Sequence, residues 1–482
     1  MAVPAALAAG AVVLRIPAFL AARHVSFDDG VYGASAVAMR TGALPFREVF
    51  SSQGPLFLPL VWLADLLGGR TLDAPRLLAV ASGVALVLAV WSAARTLALS
   101  RPAAIGAAGL VATSGSVLWV TGPLTSDGPG LALAAWAVTA ALRYRRTPSL
   151  RWALATGALL GAALSIKSLL LGAVPPVAWA LWPAAGAGPA RPAPADGRWW
   201  PLVAALAAAG AVSLLVALPW GLGNVWDQAF RYHLEAAGAR TPVRNLRKVA
   251  STLGDRDLPR VVAALAAAVT PVLHRRRKGS PSGSPTVRVG HPLGLPLVGA
   301  WLGTTGLVLA AEHPLWRNHV AHLIPPAALL VAAVFDRVPR PKAALAAMAV
   351  ATAVVLPYHL VHDAEVLWPA PPGPALAAAV RDLRALPPGA EVISDDPGVV
   401  WRSGRATPPD LVDTSILRIE SGRLTAGSLA AAAAGPRVCA VLAWSHRFGD
   451  LGGLPDGLRR AGYTAGPRYG GPKVLWRRSC ER

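Results

Sequence analysis

The sequence predicts a mainly α protein: a polytopic transmembrane bundle of about eleven spans, followed by a small C-terminal extracytoplasmic α/β domain. Three observations carry this. Of 482 residues, 54% are hydrophobic and mean hydropathy is +0.47, too apolar for an ordinary soluble chain. Only 15% are charged, and they cluster between long Ala/Leu/Val runs, as in helices that satisfy their own backbone polar groups inside lipid. After Tyr358 the long apolar runs stop, and short helical and strand patterns alternate.

A span needs roughly 17–25 apolar residues. Candidates lie at 1–22, 74–97, 102–121, 128–142, 151–167, 169–183, 200–220, 258–274, 292–311, 320–335 and 343–360. Residues 151–183 also read as a hairpin around Lys167. Arg15 interrupts the first apolar stretch and no basic region precedes it, so it reads as a retained span rather than a cleaved signal peptide. Residues 1–368 form the transmembrane module and 369–482 the second domain, joined through Pro-rich 369–374. In that domain 375–386, 429–434 and 454–461 read as helices, and 391–394, 438–443 and 473–476 as strands.

The net charge of +21 asks for anionic partners, here lipid headgroups or phosphates; no nucleic-acid motif is present. Basic clusters near residues 95–101, 143–146, 191–198, 275–278 and 337–342 fall on one side, which is then cytoplasmic together with the N-terminus. The other side holds the first outer loop, 23–73, the loops 121–127, 221–257 and 312–319, and everything after 360. Multi-pass insertion in the plasma membrane follows. The outer 221–257 loop is itself basic, with Arg231, Arg244, Arg247 and Lys248. Phosphate binding accounts for that, and so does an amphipathic stretch resting on anionic headgroups. Cys439 and Cys480 read as two separate thiols, Cys439 as a small buried hydrophobe, with a disulfide between them as the alternative.

Several polar residues call for explanation. Asp28 and Asp29 stand just beyond the first span, where a carboxylate can accept a proton at the membrane–water boundary; a solvated D-G turn is the plainer account. The same loop ends in the turn Ser51-Ser52-Gln53-Gly54-Pro55. Asp127 heads a helix on the same face, and its simplest role is N-cap. Lys167 is a charge within an apolar stretch, or one that snorkels to the interface. Arg317 and His319 lie in a short outer loop, with His322 one turn on. His319 and His322 have metal-ligand spacing without a third ligand nearby, so no metal is assigned, although a divalent ion is compatible with the pattern.

In this order and sidedness the motifs Phe27-Asp28-Asp29-Gly30, Gln53-Gly54-Pro55-Leu56, Ser126-Asp127-Gly128-Pro129 and His313–His319 with Leu323-Ile324-Pro325-Pro326 resemble the GT-C superfamily. The similarity is to the protein O-mannosyltransferase and aminoarabinose-transferase branch, family 39 and its bacterial relatives. It covers roughly residues 1–360 and extends into the tail at Asp395-Asp396-Pro397-Gly398 and Pro408–Ser415.

The resemblance implies a hexosyl- or pentosyltransferase of the cell envelope that uses a polyprenyl-phosphate-linked sugar. The acceptor would be an extracytoplasmic hydroxyl on a glycan, lipid or protein. Asp28 would be the general base, with Asp29 and Asp127 orienting the acceptor or tuning Asp28. Lys167, Arg231, Arg244, Arg247, Lys248 and Arg317 would hold phosphate charge, with Gln53 and His319 contributing to substrate binding. In-line displacement would invert the anomeric centre. The competing readings are a secondary transporter or lipid flippase, disfavoured because the span centres carry almost no acidic residues and no pair of broken helices recurs, and a non-catalytic scaffold.

Overall fold

The computed structural model describes residues 2–182, 199–235, 241–258, 294–336, 353–354, 356–449 and 451–479. Among them, four helices are long and apolar enough to cross a membrane: Ala74–Thr96, Trp200–Trp220, Gly294–Ala311 and Arg317–Phe335. A fifth span arises if Arg101–Ala112 and Gly115–Thr121 are taken together across their 61° bend. Of the rest, 128–142 lies in the continuous 20-residue helix Asp127–Arg146, which is not among these four, and the others are shorter, interrupted or undescribed. Most of 258–274 and of 343–360 lies outside the described residues.

The interruptions have polar causes. The first apolar stretch is helical over Ala2–Val13 and again over Ile16–Phe19. Between the two helices, fully buried Arg15 donates to Thr121 Oγ1 (2.8 Å) and Ala11 O (2.9 Å). At the 61° bend, the Asp257 carboxylate accepts from Ser114 Oγ (2.7 Å) and Ser116 N (3.3 Å), satisfying groups that a break leaves open. Residues 151–183 divide into the helices Leu150–Leu164 and Val174–Leu181, separated by Lys167 and a 3₁₀ segment, Ser168–Ala173.

Small residues let the helices approach. Leu150–Leu164 carries Gly157 and Gly161 four apart. A Cβ at either would meet the backbone oxygen of Ala205 or Ala209 on the Trp200–Ala217 helix at 2.0 and 2.5 Å, the close contact that such spacing permits in membranes. An Ala/Leu/Val core runs through the bundle.

Residues 391–394, 438–443, 464–468 and 474–477 form a four-stranded sheet of order β1-β2-β4-β3. β1 and β2 are parallel, and β4 is antiparallel to both β2 and β3. Strands β1, β2 and β4 fall where alternation predicts them. β3, reading TAGPR, escapes notice because Gly and Pro disfavour strand interiors; it is wholly exposed and lies at an edge. Cys439 in β2 is disulfide-bonded, which corrects the expectation of separate thiols; Cys480 lies outside the described residues.

The sheet unit docks on the first loop, residues 23–73. The Pro397–Arg402 helix packs against Phe27–Arg40, and Trp401 is fully buried in their shared core. His24 pairs with Asp396 (3.2 Å), and Arg402 with Asp73 (2.6 Å). Trp401→Ala should cost about 3–5 kcal/mol of stability through the cavity it leaves. The measurements are a lower midpoint of thermal unfolding in detergent and new protease cleavage within residues 24–50.

Candidate active site

Above the bundle lies a cavity of about 700 Å³. Its walls come from the first loop, the start of the Asp127–Arg146 helix, the break at Lys167, Ala229, Phe230 and Tyr232–Leu234, Lys248, the loop 312–319 and the sheet unit.

Asp28 and Asp29 open the Phe27–Arg40 helix, whose N-cap Ser26 accepts from Asp29 N (3.2 Å). Acidic residues suit this helix end. Successive helical residues point about 100° apart, so the two carboxylates separate. Asp28 is half-buried and lines the cavity. Burial pushes its carboxyl from 3.8 up to about 6, against the pull of Lys167 and with the push of Asp127, Asp413 and Asp29.

Asp29 turns away and does not line the cavity, so of its two expected roles it does not reach an acceptor there, while its charge does act on the neighbouring Asp28 carboxyl. Its Oδ1 accepts from Arg76 Nε and Leu124 N, both at 3.1 Å. Its Oδ2 accepts from Arg76 Nη2 (2.6 Å) and Val25 N (2.9 Å). Burial alone would raise this carboxyl, but Arg76 and the two backbone amides hold it below the usual range.

Asp127 lines the cavity without acting as an N-cap: Ser126 occupies the cap position. Asp127 Oδ2 accepts from Lys167 Nζ (2.8 Å), and Oδ1 bonds His322 Nε2 (2.9 Å). Lys167 reaches it because the backbone is extended there, between two helices. The turn at Gln53 is sewn to the same break, with Gly54 N bonding Ile166 O (3.0 Å) and Leu56 N bonding Ser165 O (2.9 Å). A Cβ at Gly54 would meet Ser165 O at 2.3 Å, so only glycine fits. Gln53 lines the cavity and accepts from Ser126 Oγ (2.8 Å).

Lys248, Arg317 and His319 also line the cavity. Lys248 Nζ stands 5.5 Å from the centroid of the Trp316 ring. Burial, Arg244 and Arg317 together hold its pKa below the usual lysine value, as in a cluster of cations. Arg317 pairs with Asp255. Arg231, Arg244 and Arg247 are not part of the lining. Arg231 points outward and pairs with Asp227 and Glu235 (3.7 and 2.7 Å), while Arg244 and Arg247 are exposed. Among the described residues no group of three or more His, Cys, Asp or Glu is arranged to hold a metal. The His319 and His322 rings are 6.4 Å apart, and His322 is engaged by Asp127.

The cavity also includes Tyr32, His233, Asp413 and Arg447, to which the sequence attaches no role. His233 bonds Ser52 O (2.8 Å). Asp413 accepts from Ser52 Oγ (3.2 Å) and Ser415 N (2.9 Å). The Arg447 guanidinium lies 4.0 Å from the centroid of the Phe27 ring and donates to Asp395 O. Asp413 and Ser52 are 361 residues apart, a separation no local pattern bridges.

The two neighbouring aspartates should respond oppositely to neutralisation. Asp29→Asn leaves buried Arg76 with only the longer pair to Asp73 (3.6 Å), costing about 3–5 kcal/mol. Folding raises the Asp28 pKa from 3.8 to about 6, so the folded state holds that proton more tightly than the unfolded chain. Stability from this group is therefore present below pH 4 and is lost as pH climbs towards 6. Asp28→Asn removes that loss. At pH 8 the thermal midpoint should fall for Asp29→Asn and stay level or rise for Asp28→Asn.

Residues 52–220 match the family described as dolichyl-phosphate-mannose-protein mannosyltransferase. No curated protein matches significantly. Among solved structures, ArnT from Cupriavidus metallidurans bound to undecaprenyl phosphate superposes with a TM-score of 0.63 at 15% identity, over 97% of this chain and 96% of that one. Its apo state gives 0.62 at 14%, over 96% and 95%. The Archaeoglobus fulgidus oligosaccharyltransferase in its apo form gives 0.51 at 14%, over 92% of this chain and 69% of that one. The chain thus shares its fold with ArnT and the archaeal oligosaccharyltransferase, and Gln53, Asp127 and Lys167 lie inside the stretch that matches the mannosyltransferase family.

Proposed function

We propose that this protein is a membrane glycosyltransferase that moves a sugar from a polyprenyl-phosphate donor to an acceptor hydroxyl, with Asp28 as general base. The observation that carries the reading is a carboxylate with a pKa of about 6 facing a cavity whose other walls present Lys248 and Arg317. Such a group is ionised at neutral pH yet basic enough to take a proton in the transition state. That a protein of the same fold binds undecaprenyl phosphate supports the donor class.

The acceptor oxygen attacks the anomeric carbon as its bond to the phosphate oxygen breaks. The proton passes to Asp28, and the bonding electrons leave with the phosphate. Attack opposite the leaving group inverts the centre. Phosphate is a competent leaving group without a general acid, but its charge has to be held, and Lys248 and Arg317 suit that role. Lys167 is already committed to Asp127 (2.8 Å), so the Asp127–Lys167–His322 group sets the shape and potential of the floor. Asp413 and Arg447 suit the acceptor side. The Cys439 disulfide supports an extracytoplasmic sheet unit, since disulfides persist in oxidising compartments. The sheet unit closes the cavity, so the active site would open on that same side, with the N-terminus cytoplasmic.

The test is transfer by purified protein in lipid nanodiscs, supplied with a panel of radiolabelled polyprenyl-phosphate sugars and a cell-envelope extract as acceptor source. The rate should rise through about pH 6, and Asp28→Asn should lose about 10²–10⁴-fold. Full activity in that variant would remove the base assignment. Lys248→Gln should raise the apparent KM for donor by about tenfold, equivalent to ~1.4 kcal/mol, with little change for acceptor. Equal changes in both constants would count against a phosphate role.

A further inference from the structure

The helix Trp200–Ala217 exposes Val203, Leu206, Leu214 and Leu215, as a lipid-facing span should. The chain then passes through Leu218–Trp220, turns at Gly221 with φ of 85°, and becomes helical again over Leu222–Glu235. This second stretch has faces of different character. Leu222, Trp226, Phe230 and Leu234 are 51%, 57%, 39% and 66% exposed, although all four are large and apolar; Phe230 and Leu234 also border the cavity. The Trp226 and Phe230 rings stack with centroids 5.6 Å apart.

Four-residue steps drift about 40° each around an α-helix, which over three steps would take Leu234 about 120° from Leu222. Residues Trp226–Arg231 are instead π-helical. Their i→i+5 bonding turns less per residue and offsets most of that drift, so the four side chains form one stripe.

The opposite face is bound to protein. Val225, Ala229 and Tyr232 are buried. Gln228 donates to Phe46 O (2.9 Å) and accepts from Ser51 N (3.0 Å), while Tyr232 bonds Ser415 (3.1 Å). At the edge, Asp227 and Glu235 both grip Arg423 of the sheet unit (2.9 and 2.8 Å).

We infer that residues 222–235 lie in the headgroup region of the bilayer. Leu222 and Trp226 would be sunk among the acyl-chain ends, with Phe230 and Leu234 carrying the apolar surface on to the cavity and Arg231 and Asn224 left at the aqueous side. Lipid is the occupant because the stripe continues the exposed apolar surface of the span that leads into it. A stacked Trp and basic side chains also belong at that depth. The element ties three parts together: the membrane surface, the 46–52 stretch of the first loop, and the sheet unit. It thereby holds the cavity wall at a set height above the bilayer. This goes beyond the glycosyltransferase reading and stands without it.

Single cysteines at Leu222, Trp226, Asn224 and Arg231 are labelled with a nitroxide in nanodiscs of phosphatidylglycerol and phosphatidylethanolamine. Relative accessibility to oxygen over a nickel chelate should be several-fold higher at Leu222 and Trp226 than at Asn224 and Arg231. Equal values at all four, or nickel-dominated values at Leu222 and Trp226, would overturn the inference and assign the stripe to solvent or to a protein. Independently, brominated-lipid quenching in wild type minus that in Trp226→Phe should isolate a strongly quenched component. No difference between the two would count against the placement even if a labelled variant misfolds.

Discussion

The buried pair of Arg76 and Asp29 ties the first loop to the segments packed around it. Both side chains are removed from solvent, an arrangement stable only when every charge-bearing atom has partners. Asp29 receives two backbone amides as well as Arg76. Arg76 spends its other donors on the carbonyls of Phe19, Ala21 and Arg23, and lies 4.9 Å from the Trp401 ring. One ion pair therefore joins the end of the first apolar segment, the first-loop helix, the Leu124 turn and the docked sheet unit. With Asp29 pinned inward, the helix presents Asp28 to the cavity, so the orientation of Asp28 follows from a structural bond one residue away.

The floor of the cavity obeys a related rule. Its polar groups stand where apolar helices are interrupted: Lys167 between two helices, Asp127 at the start of another, His322 in the short segment before Ile324. Charges placed in the middle of spans would be costly. At breaks they can meet one another and the freed backbone groups. The Gln53–Leu56 turn fills the Lys167 break with main-chain hydrogen bonds, so first loop and bundle form a continuous polar surface.

The sheet unit is part of this surface rather than an appendage. It contributes Asp413 and Arg447 to the cavity, and Arg423 to the 222–235 element. The Asp28 side of the cavity, the sheet unit and the 222–235 element are therefore mechanically linked through one packed assembly.

Class, membrane character and most of the sheet strands were legible in the sequence, because hydropathy and period-2 alternation are local properties of the chain. Asp28, Gln53, Asp127, Lys167, Lys248, Arg317 and His319, which the structure brings to one cavity, could be singled out in the sequence because polar residues stand out beside apolar runs. Span boundaries were less legible: Arg15 and Lys167 act through partners far along the chain. Only the tertiary structure separated Asp28 from Asp29, because adjacent helix positions look equivalent until Arg76 chooses one of them. It also moved Arg231, Arg244 and Arg247 out of the cavity and brought Asp413 and Arg447 in. Composition records which residues need partners, but which partner each one finds is decided by packing between segments hundreds of residues apart.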